Sequence, residues 1–433
     1  MLANYWAAAL RNLSRNRLHA AVSIAGLAVG FLAAILVILY TDHEHSFERF
    51  LPDYTQIYRL SSASRVAGTS ANASADLRGP IAPQLRLAFP QIRHVAELRN
   101  TFGSASLRRG AIEYIEPGFT WADPEVFDVL PFPVLGGDLR RALLQPDGLV
   151  LTRRMARKYF GTDLPLGQTI EVDRQRTLRV MAVIEDLPST THLNTEIFGS
   201  TLALPPTPPG YVYRTYLYLQ LAPGASPGAL RAALPAFIDR TFPGNSGHPR
   251  SQFVEFPLVP IADIHLRPAG ALSMKPDGDP QMLGALVMSG LLVLLIASIN
   301  FVNLMTARAT RRALEVAMRK AAGASRRTVA LQFLGEASLY AAMAMLLAVA
   351  MTELLLPYVN AFLGTDLKLQ YLHPLQLLVI AAATLGGWYA RGRVSGVYSL
   401  CLQAGSRVSG RRAGAARLRA RAPGGWCYCS LRY

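Results

Sequence analysis

Between Asp42 and Glu48 the chain places His43, Glu44, His45 and Glu48 within seven residues, the side-chain types that ligate zinc or relay protons. A zinc site draws its ligands together from separate segments, whereas one short stretch supplies all of these, so solvated polar side chains account for the cluster. Ser246 lies in Gly244-Asn245-Ser246-Gly247-His248 without the strand-to-helix context of a nucleophile elbow, and a Gly-rich loop is the better account. None of the four lysines, Lys158, Lys275, Lys320 and Lys368, follows a glycine. The chain therefore does not hold ATP by a G-x-x-x-x-G-K-[ST] phosphate loop. No acid, base or nucleophile set stands out, and the expectation is a protein that is not an enzyme and has no cofactor or metal of its own.

The surrounding elements explain why so little chemistry is on offer. The 433 residues are 51% hydrophobic and 17% charged, more apolar than a soluble globular chain, and apolar runs of membrane-spanning length hold the excess. Leu18 to Tyr40 runs for 23 residues with His19 near its start. It ends in Leu-Tyr-Thr-Asp rather than at a small-residue cleavage site, and so reads as an uncleaved first span. Ahead of it Trp6, Leu10 and Leu13 fall at helical spacing among Arg11, Arg15 and Arg17, as in a helix lying on the inner leaflet. Gly26 and Gly30 form a small-xxx-small pair that suits packing against a helix of the same chain more than a homodimer seam. A second run of about twenty residues starts at Leu283. Asn300 and Asn303, near its inner end, are placed to hydrogen-bond a neighbouring helix. A third run, Val329 to Leu356, closes at Pro357, with Glu336 and Glu353 near its two ends. A fourth, Leu375 to Ala390, fails after some sixteen residues, short for a span.

Charge sets the topology. The net charge of +16 is unevenly placed: +3 lies in Met1 to Arg17, +6 in Thr306 to Arg327 and +9 after Gly386, whereas Asp42 to Asp279 carries 24 acidic and 24 basic side chains. The excess tracks one side of the membrane, which fixes that side as cytoplasmic and removes the main support for nucleic-acid binding. Thr306 to Arg327 is then a short cytoplasmic connector between the second and third spans. Read as a helix, Ala307 to Ala322 sets Ala313, Val316 and Ala317 on a small-residue face. Arg308, Arg311, Arg312, Glu315 and Arg319 ring the rest, and Glu315 precedes Arg319 by four. Two readings stay open on charge alone: an orientation signal resting on anionic lipid heads, or a docking element for a soluble partner.

The residue pattern separates them. Ile299-Asn300-Phe301-Val302-Asn303-Leu304, then Glu315-Val316-Ala317-Met318-Arg319-Lys320-Ala321-Ala322-Gly323-Ala324, then Gln332-Phe333-Leu334-Gly335-Glu336, resembles the membrane subunits of ABC systems in the MacB and FtsX superfamily. The resemblance implies that this connector lies on a separate cytoplasmic ABC ATPase, with Glu315, Met318, Arg319, Lys320, Gly323 and Ala324 at the contact. ATP would be bound by that partner. Ser46 to Arg59 resembles the family's junction between first span and external domain. Ala122 to Val129, Leu151-Thr152 with Ala156 to Gly161, Pro165-Leu166-Gly167, Val183 to Pro188 and Pro260 to Leu266 resemble its external domain in the usual order. Each block also has a plain structural reading: Gly161 and Gly167 suit turns, Pro188 ends a strand, and Phe127 and Phe160 suit a core.

That external segment, roughly 240 residues, is long enough to bury a core. Strand-like stretches are 56–60, 149–152, 178–184, 212–221 and 253–259; helix-like ones are 80–89, 153–160 and 227–242. In 212–221, Arg214, Tyr216, Tyr218 and Gln220 alternate with Thr215, Leu217 and Leu219, as in a half-buried strand. With no cysteine, this domain uses no disulfide. After Gly386 come nine arginines, no lysine, no acidic residue and all three cysteines, Cys401, Cys427 and Cys429. The family would continue through a Gly-rich stretch and a Tyr-Pro pair to a clean cytoplasmic exit, so this tail reads as out-of-frame or otherwise aberrant. The alternative is a basic tail on the inner leaflet.

The sequence thus predicts an α-helical membrane protein with four transmembrane helices, the fourth incomplete, and a large α+β extracytoplasmic domain between helices 1 and 2. The expected bounds are an interfacial helix 1–17, first span 18–41, external domain 42–282, second span 283–305 and coupling segment 306–328. A third span 329–356, external loop 357–374, short fourth span 375–390 and basic tail 391–433 complete the chain. By resemblance it is the permease subunit of a mechanotransmission-type ABC transporter in a bacterial cytoplasmic (inner) membrane. Such a system exports or extracts a lipoprotein, peptide or drug, with a second permease or periplasmic partner as further company. A membrane-anchored regulatory scaffold controlling a cell-wall enzyme is the alternative. The opening Asn4-Tyr5-Trp6 and the Asp53-to-Arg59 junction are more like the tandem kind of permease, of which this chain would be the first half.

Overall fold

The computed structural model describes residues 17–65, 73–78, 81–100, 104–204, 214–242, 248–267, 272–311, 318, 321 and 325–369. Residues 1–16 of the expected interfacial helix, the fourth span and the basic tail lie outside these. The chain divides into two compact units, one built on Tyr40–Ala285 and the other on the membrane helices that flank it.

In the membrane unit, α1 (Arg17–His45) buries Ala20, Ile24, Leu27, Ala28, Phe31 and Ile35, a stripe at helical spacing. Phe301 and Met305 of a second helix and Ala337, Tyr340, Ala344 and Ala348 of a third complete that cluster. The second helix runs Pro280–Arg311 and the third Arg326–Leu363. These three are long and apolar enough to cross a membrane. The second leaves Met288, Leu291, Leu292, Leu295, Ile296 and Ile299 exposed, a surface that hydrocarbon accepts and water does not. The third span does not close at Pro357: the helix runs on for six residues to Leu363. Proline's fixed φ fits a helix at the loss of one hydrogen bond. Here Leu356 and Val359 still pack on the cluster, and Asn360 ties the end down by accepting from the Leu367 amide at 2.9 Å.

In the other unit the helices are α2 (Ala82–Ala88), α3 (Val126–Val129), α4 (Leu139–Leu144), α5 (Arg153–Phe160) and α6 (Pro227–Thr241), so the two later membrane helices are α7 and α8. Among the described residues one sheet contains 13 strands. Its main path begins β16 (Leu258–Pro260), β1 (Ile57–Leu60), β14 (Arg214–Leu221), β5 (Ile92–Asn100) and β8 (Phe119–Ala122). It continues β13 (Ile197–Ser200), β10 (Gly148–Thr152), β12 (Arg176–Ile184), β11 (Thr169–Val172), β6 (Ala105–Arg109) and β7 (Ile112–Glu116), with β4 (Leu77–Arg78) beside β14 and β9 (Val134–Gly137) beside β12. Strands β15 (Val254–Glu255), β2 (Ser62–Ser64) and β3 (Ala73–Ser74) form a second sheet. Most pairs are antiparallel; β10 with β12 and β13 with β8 are parallel. Helices interspersed with this mixed sheet make the domain α+β.

Local signals explain the helices. Thr152 caps α5 by accepting from the Met155 amide, and Gly161 ends it at φ 70, where a side chain would strain the backbone. Ser226 caps α6, with Pro227 in its first turn. Leu230, Leu234, Phe237 and Ile238 of α6 are buried against β14 and β5, a face in which each side chain contributes about 2 kcal/mol. The strand expected to be half-buried is buried on both sides. Tyr216 and Tyr218 enter one core with α3, while Leu217 and Leu219 enter another with α2 and α6. Tyrosine reads as polar in an alternation, but its ring belongs in a core once its hydroxyl finds a partner.

Candidate functional site

Of the residues expected at the ATPase contact, Met318 lies on a helical turn with 60% of its surface exposed. Glu315, Arg319, Lys320, Gly323 and Ala324 lie outside the described residues. Gly26 and Asn300 come together: a Cβ added to Gly26 would stand 3.7 Å from Asn300 Nδ2. Gly30 faces α7 more tightly, since its Cβ would stand 2.5 Å from the Cβ of Ala297. Asn303 is exposed on α7.

Buried polar groups gather where the chain enters and leaves the external domain. Glu44, in the last turn of α1, sets Oε2 2.8 Å from His265 Nε2, and the His265 ring stacks flat on Phe47 at 3.6 Å. Gly278 donates its amide to the His265 carbonyl, and a Cβ there would stand 2.8 Å from His265 Nε2 and 3.0 Å from Glu44 Oε2. A larger residue there would have to push the ends of those two side chains aside. Residues 272–279 lead directly into α7, so entry and exit are stapled together by one carboxylate–imidazole hydrogen bond across 221 residues.

Glu48, three residues beyond α1 at φ 60, makes the second link. Its amide donates to the Thr190 carbonyl at 3.0 Å, and its Oε1 accepts from the His192 amide at 2.6 Å. His192 Nδ1 lies 2.8 Å from the same oxygen and Nε2 lies 2.6 Å from Tyr218 Oη. With the imidazole neutral, Nδ1–H donates to the carboxylate and Nε2 accepts the tyrosine proton. Burial pushes the Tyr218 hydroxyl above its ordinary range, which keeps that proton in place. From the exit side, Lys275 Nζ donates to the Thr191 carbonyl at 2.8 Å, and burial pushes its ammonium below the usual lysine range. Thr190, Thr191 and His192, which lie between β12 and β13, are thus gripped from both crossings.

The expectation of a solvated His-Glu cluster is therefore overturned for its two carboxylates. Glu44 is 8% exposed and Glu48 1%, while His45 is exposed as expected. A carboxylate leaves water when it is paired, and the partners here lie far along the chain, where a local pattern cannot register them. Among the described residues, no group of three or more His, Cys, Asp or Glu side chains could hold a metal ion. The order Glu48, His192, Tyr218 has the connectivity of a catalytic triad, but Tyr218 is 0% exposed and no substrate reaches it. Sequence reading missed His192, Tyr218 and Lys275 as site residues, and named His265 only inside a longer block.

Residues 20–237 match the MacB-like periplasmic core domain, and residues 287–396 match the FtsX-like permease C-terminal domain. The chain belongs to the MacB/FtsX family of ABC transporter permeases. Its solved likenesses include three external domains. A domain of a protein described as a permease from Porphyromonas gingivalis is 18% identical at TM-score 0.42, over 52% of this chain and 99% of that one. The periplasmic region of MacB from Actinobacillus actinomycetemcomitans is 16% identical at 0.35, over 45% and 86%. The extracellular domain of the ABC-type transporter YknZ from Gram-positive bacteria is 15% identical at 0.33, over 46% and 99%. A search of curated proteins gave no match.

The blocks of this permease that resemble the family have structural work in the external domain. Asp186 accepts from the Arg154 amide at 2.7 Å and so helps Thr152 to start α5. Asp123 accepts from the Glu125 amide at 2.8 Å at the entry to α3. Phe127 is buried, while Phe160 is half-buried beneath the Arg109 guanidinium.

Proposed function

We propose that this permease transmits mechanical work: a separate cytoplasmic ATPase closes on the connector 306–328, and the displaced spans move the external domain. The observation that supports this reading is the double grip on Thr190, Thr191 and His192, with Glu48 holding from the α1 side and Lys275 from the α7 side. A domain tethered by flexible linkers would absorb a displacement of its helices. One whose entry and exit are both bonded to the segment joining β12 to β13 passes the displacement into the sheet. The membrane is a bacterial cytoplasmic membrane, the domain lies on its periplasmic side, and the work is spent on extracting or exporting a lipoprotein, peptide or drug. The permease itself carries out no chemical step; ATP is bound and cleaved by the partner.

Replacing Glu315 and Arg319 together by alanine should reduce the ATPase recovered with the affinity-purified permease by about tenfold, a loss on the scale of one or two interface contacts. The amount of permease in the membrane should stay unchanged. Undiminished recovery of the ATPase would overturn the docking role of this connector.

A further inference from the structure

Arg59 is 1% exposed, on β1 directly opposite Tyr218 of β14. Its Nε and Nη2 meet no acceptor among the described residues. Burial pushes the guanidinium below the usual arginine range, and among the groups that act against that shift the carboxylate is Asp277. Asp277 does not bond Arg59; its Oδ2 accepts from Ser273 Oγ at 2.8 Å. A buried guanidinium with two N–H directions unanswered, set opposite Tyr218 on the strand whose Tyr216 holds Leu272 at the start of the segment that carries Asp277, lacks the carboxylate that would complete an ion pair.

The segment that carries Asp277 is tied down near both ends. It begins at Leu272, whose φ of 69 is a left-handed backbone that leucine adopts only under constraint, with its carbonyl taken by the Tyr216 hydroxyl at 2.7 Å. It ends at Gly278, bonded to the His265 carbonyl, immediately before α7. Between them Pro276 stiffens the link from Asp277 to Lys275, whose ammonium rests on the Thr191 carbonyl.

We propose that residues 272–279 form a latch with two positions. Asp277 bonds Ser273 in the position seen here and passes to Arg59 in the other, drawing Lys275 off Thr191. Each position completes one bond that the other forgoes, which is the condition for a bistable element. In one position the segment between β12 and β13 is held from the α7 side and in the other it is left to Glu48 alone, so the latch decides when motion of α7 reaches the sheet. That purpose rests on the transmission reading; the existence of the two positions does not.

Hydrogen exchange of the full chain in lipid nanodiscs tests it, read on peptides covering 186–195 and 272–279. Ser273→Ala weakens the first position and should lower protection of both peptides about fivefold, the weight of one net hydrogen bond. Arg59→Met removes the second position and should raise protection of both by a similar factor. A static Arg59 with unanswered N–H groups predicts for Arg59→Met a gain spread evenly over the domain, so a gain confined to these two peptides supports the latch, and an even gain, a loss, or no change in either variant overturns it. Should Arg59→Met not fold, a cryo-EM structure of the Ser273→Ala chain decides. Asp277 within hydrogen-bond reach of Arg59 supports the proposal, and Asp277 turned elsewhere overturns it. No ATPase is needed for these measurements, so failure of the latch and failure of ATPase docking show up separately.

Discussion

Glu48→Ala should lower the thermal unfolding midpoint of the external domain by roughly 10 °C in the detergent-purified chain. The substitution removes the acceptor that holds both the His192 amide and the His192 ring, at a site 1% exposed. Leaving a buried donor without its acceptor costs about 1 to 3 kcal/mol, and here two donors, the His192 amide and its Nδ1–H, lose theirs in a dry site. For a domain of this size, about 1 kcal/mol moves the midpoint by roughly 2 to 4 °C. Glu48→Gln keeps an acceptor and loses the charge, and should show about half the shift. The backbone contributes separately, since residue 48 sits at φ 60. Glu48→Gly loses the same carboxylate but relieves a strain of about 1 kcal/mol, and should therefore melt a few degrees above Glu48→Ala. Equal midpoints for wild type and Glu48→Ala would remove the junction as the point where the domain is held. If Gly and Ala variants melt together, the left-handed backbone carries no strain.

The elements legible in the sequence are those whose signals are local. Helix 153–160 reads true because a threonine opens it and a glycine closes it, and α6 because a serine and a proline open it. Strand β5 went unseen because Arg93, His94, Glu97 and Arg99 make it resemble a surface loop. Yet Glu97 is buried, accepting from the Ala82 amide on one oxygen and from Arg99 on the other. A charge that finds donors inside the fold looks, in sequence, the same as one that faces water. The junction failed to show for the same reason. Glu48 and His192 stand 144 residues apart, and no spacing rule joins them. The glycines of the first span are a middle case: their spacing announced a close approach, but which of the two bears it depends on what stands opposite.

That difference yields the second large effect. Gly30→Ala should destabilise the packing of α1 on α7 by about 1 to 3 kcal/mol, whereas Gly26→Ala should change it by less than about 0.5 kcal/mol. At Gly26 an added methyl would meet Asn300 Nδ2 at 3.7 Å, an ordinary contact. At Gly30 it would lie 2.5 Å from the Cβ of Ala297, with the Cα of Leu294 at 3.8 Å, so the two backbones must part. Lipid tails are as apolar as these side chains, and the helices are held by close packing rather than by exclusion of water; separation therefore forfeits most of what joins them. Steric trapping or graded detergent unfolding of the full chain measures the difference. Because the clash is between two Cβ atoms, Ala297→Gly in the Gly30→Ala background should restore most of the loss, while Ala297→Gly alone should cost about 1 kcal/mol through helix propensity. Independent, additive losses at 30 and 297 would mean that the two positions do not touch, and the close approach of the two helices would have to be abandoned.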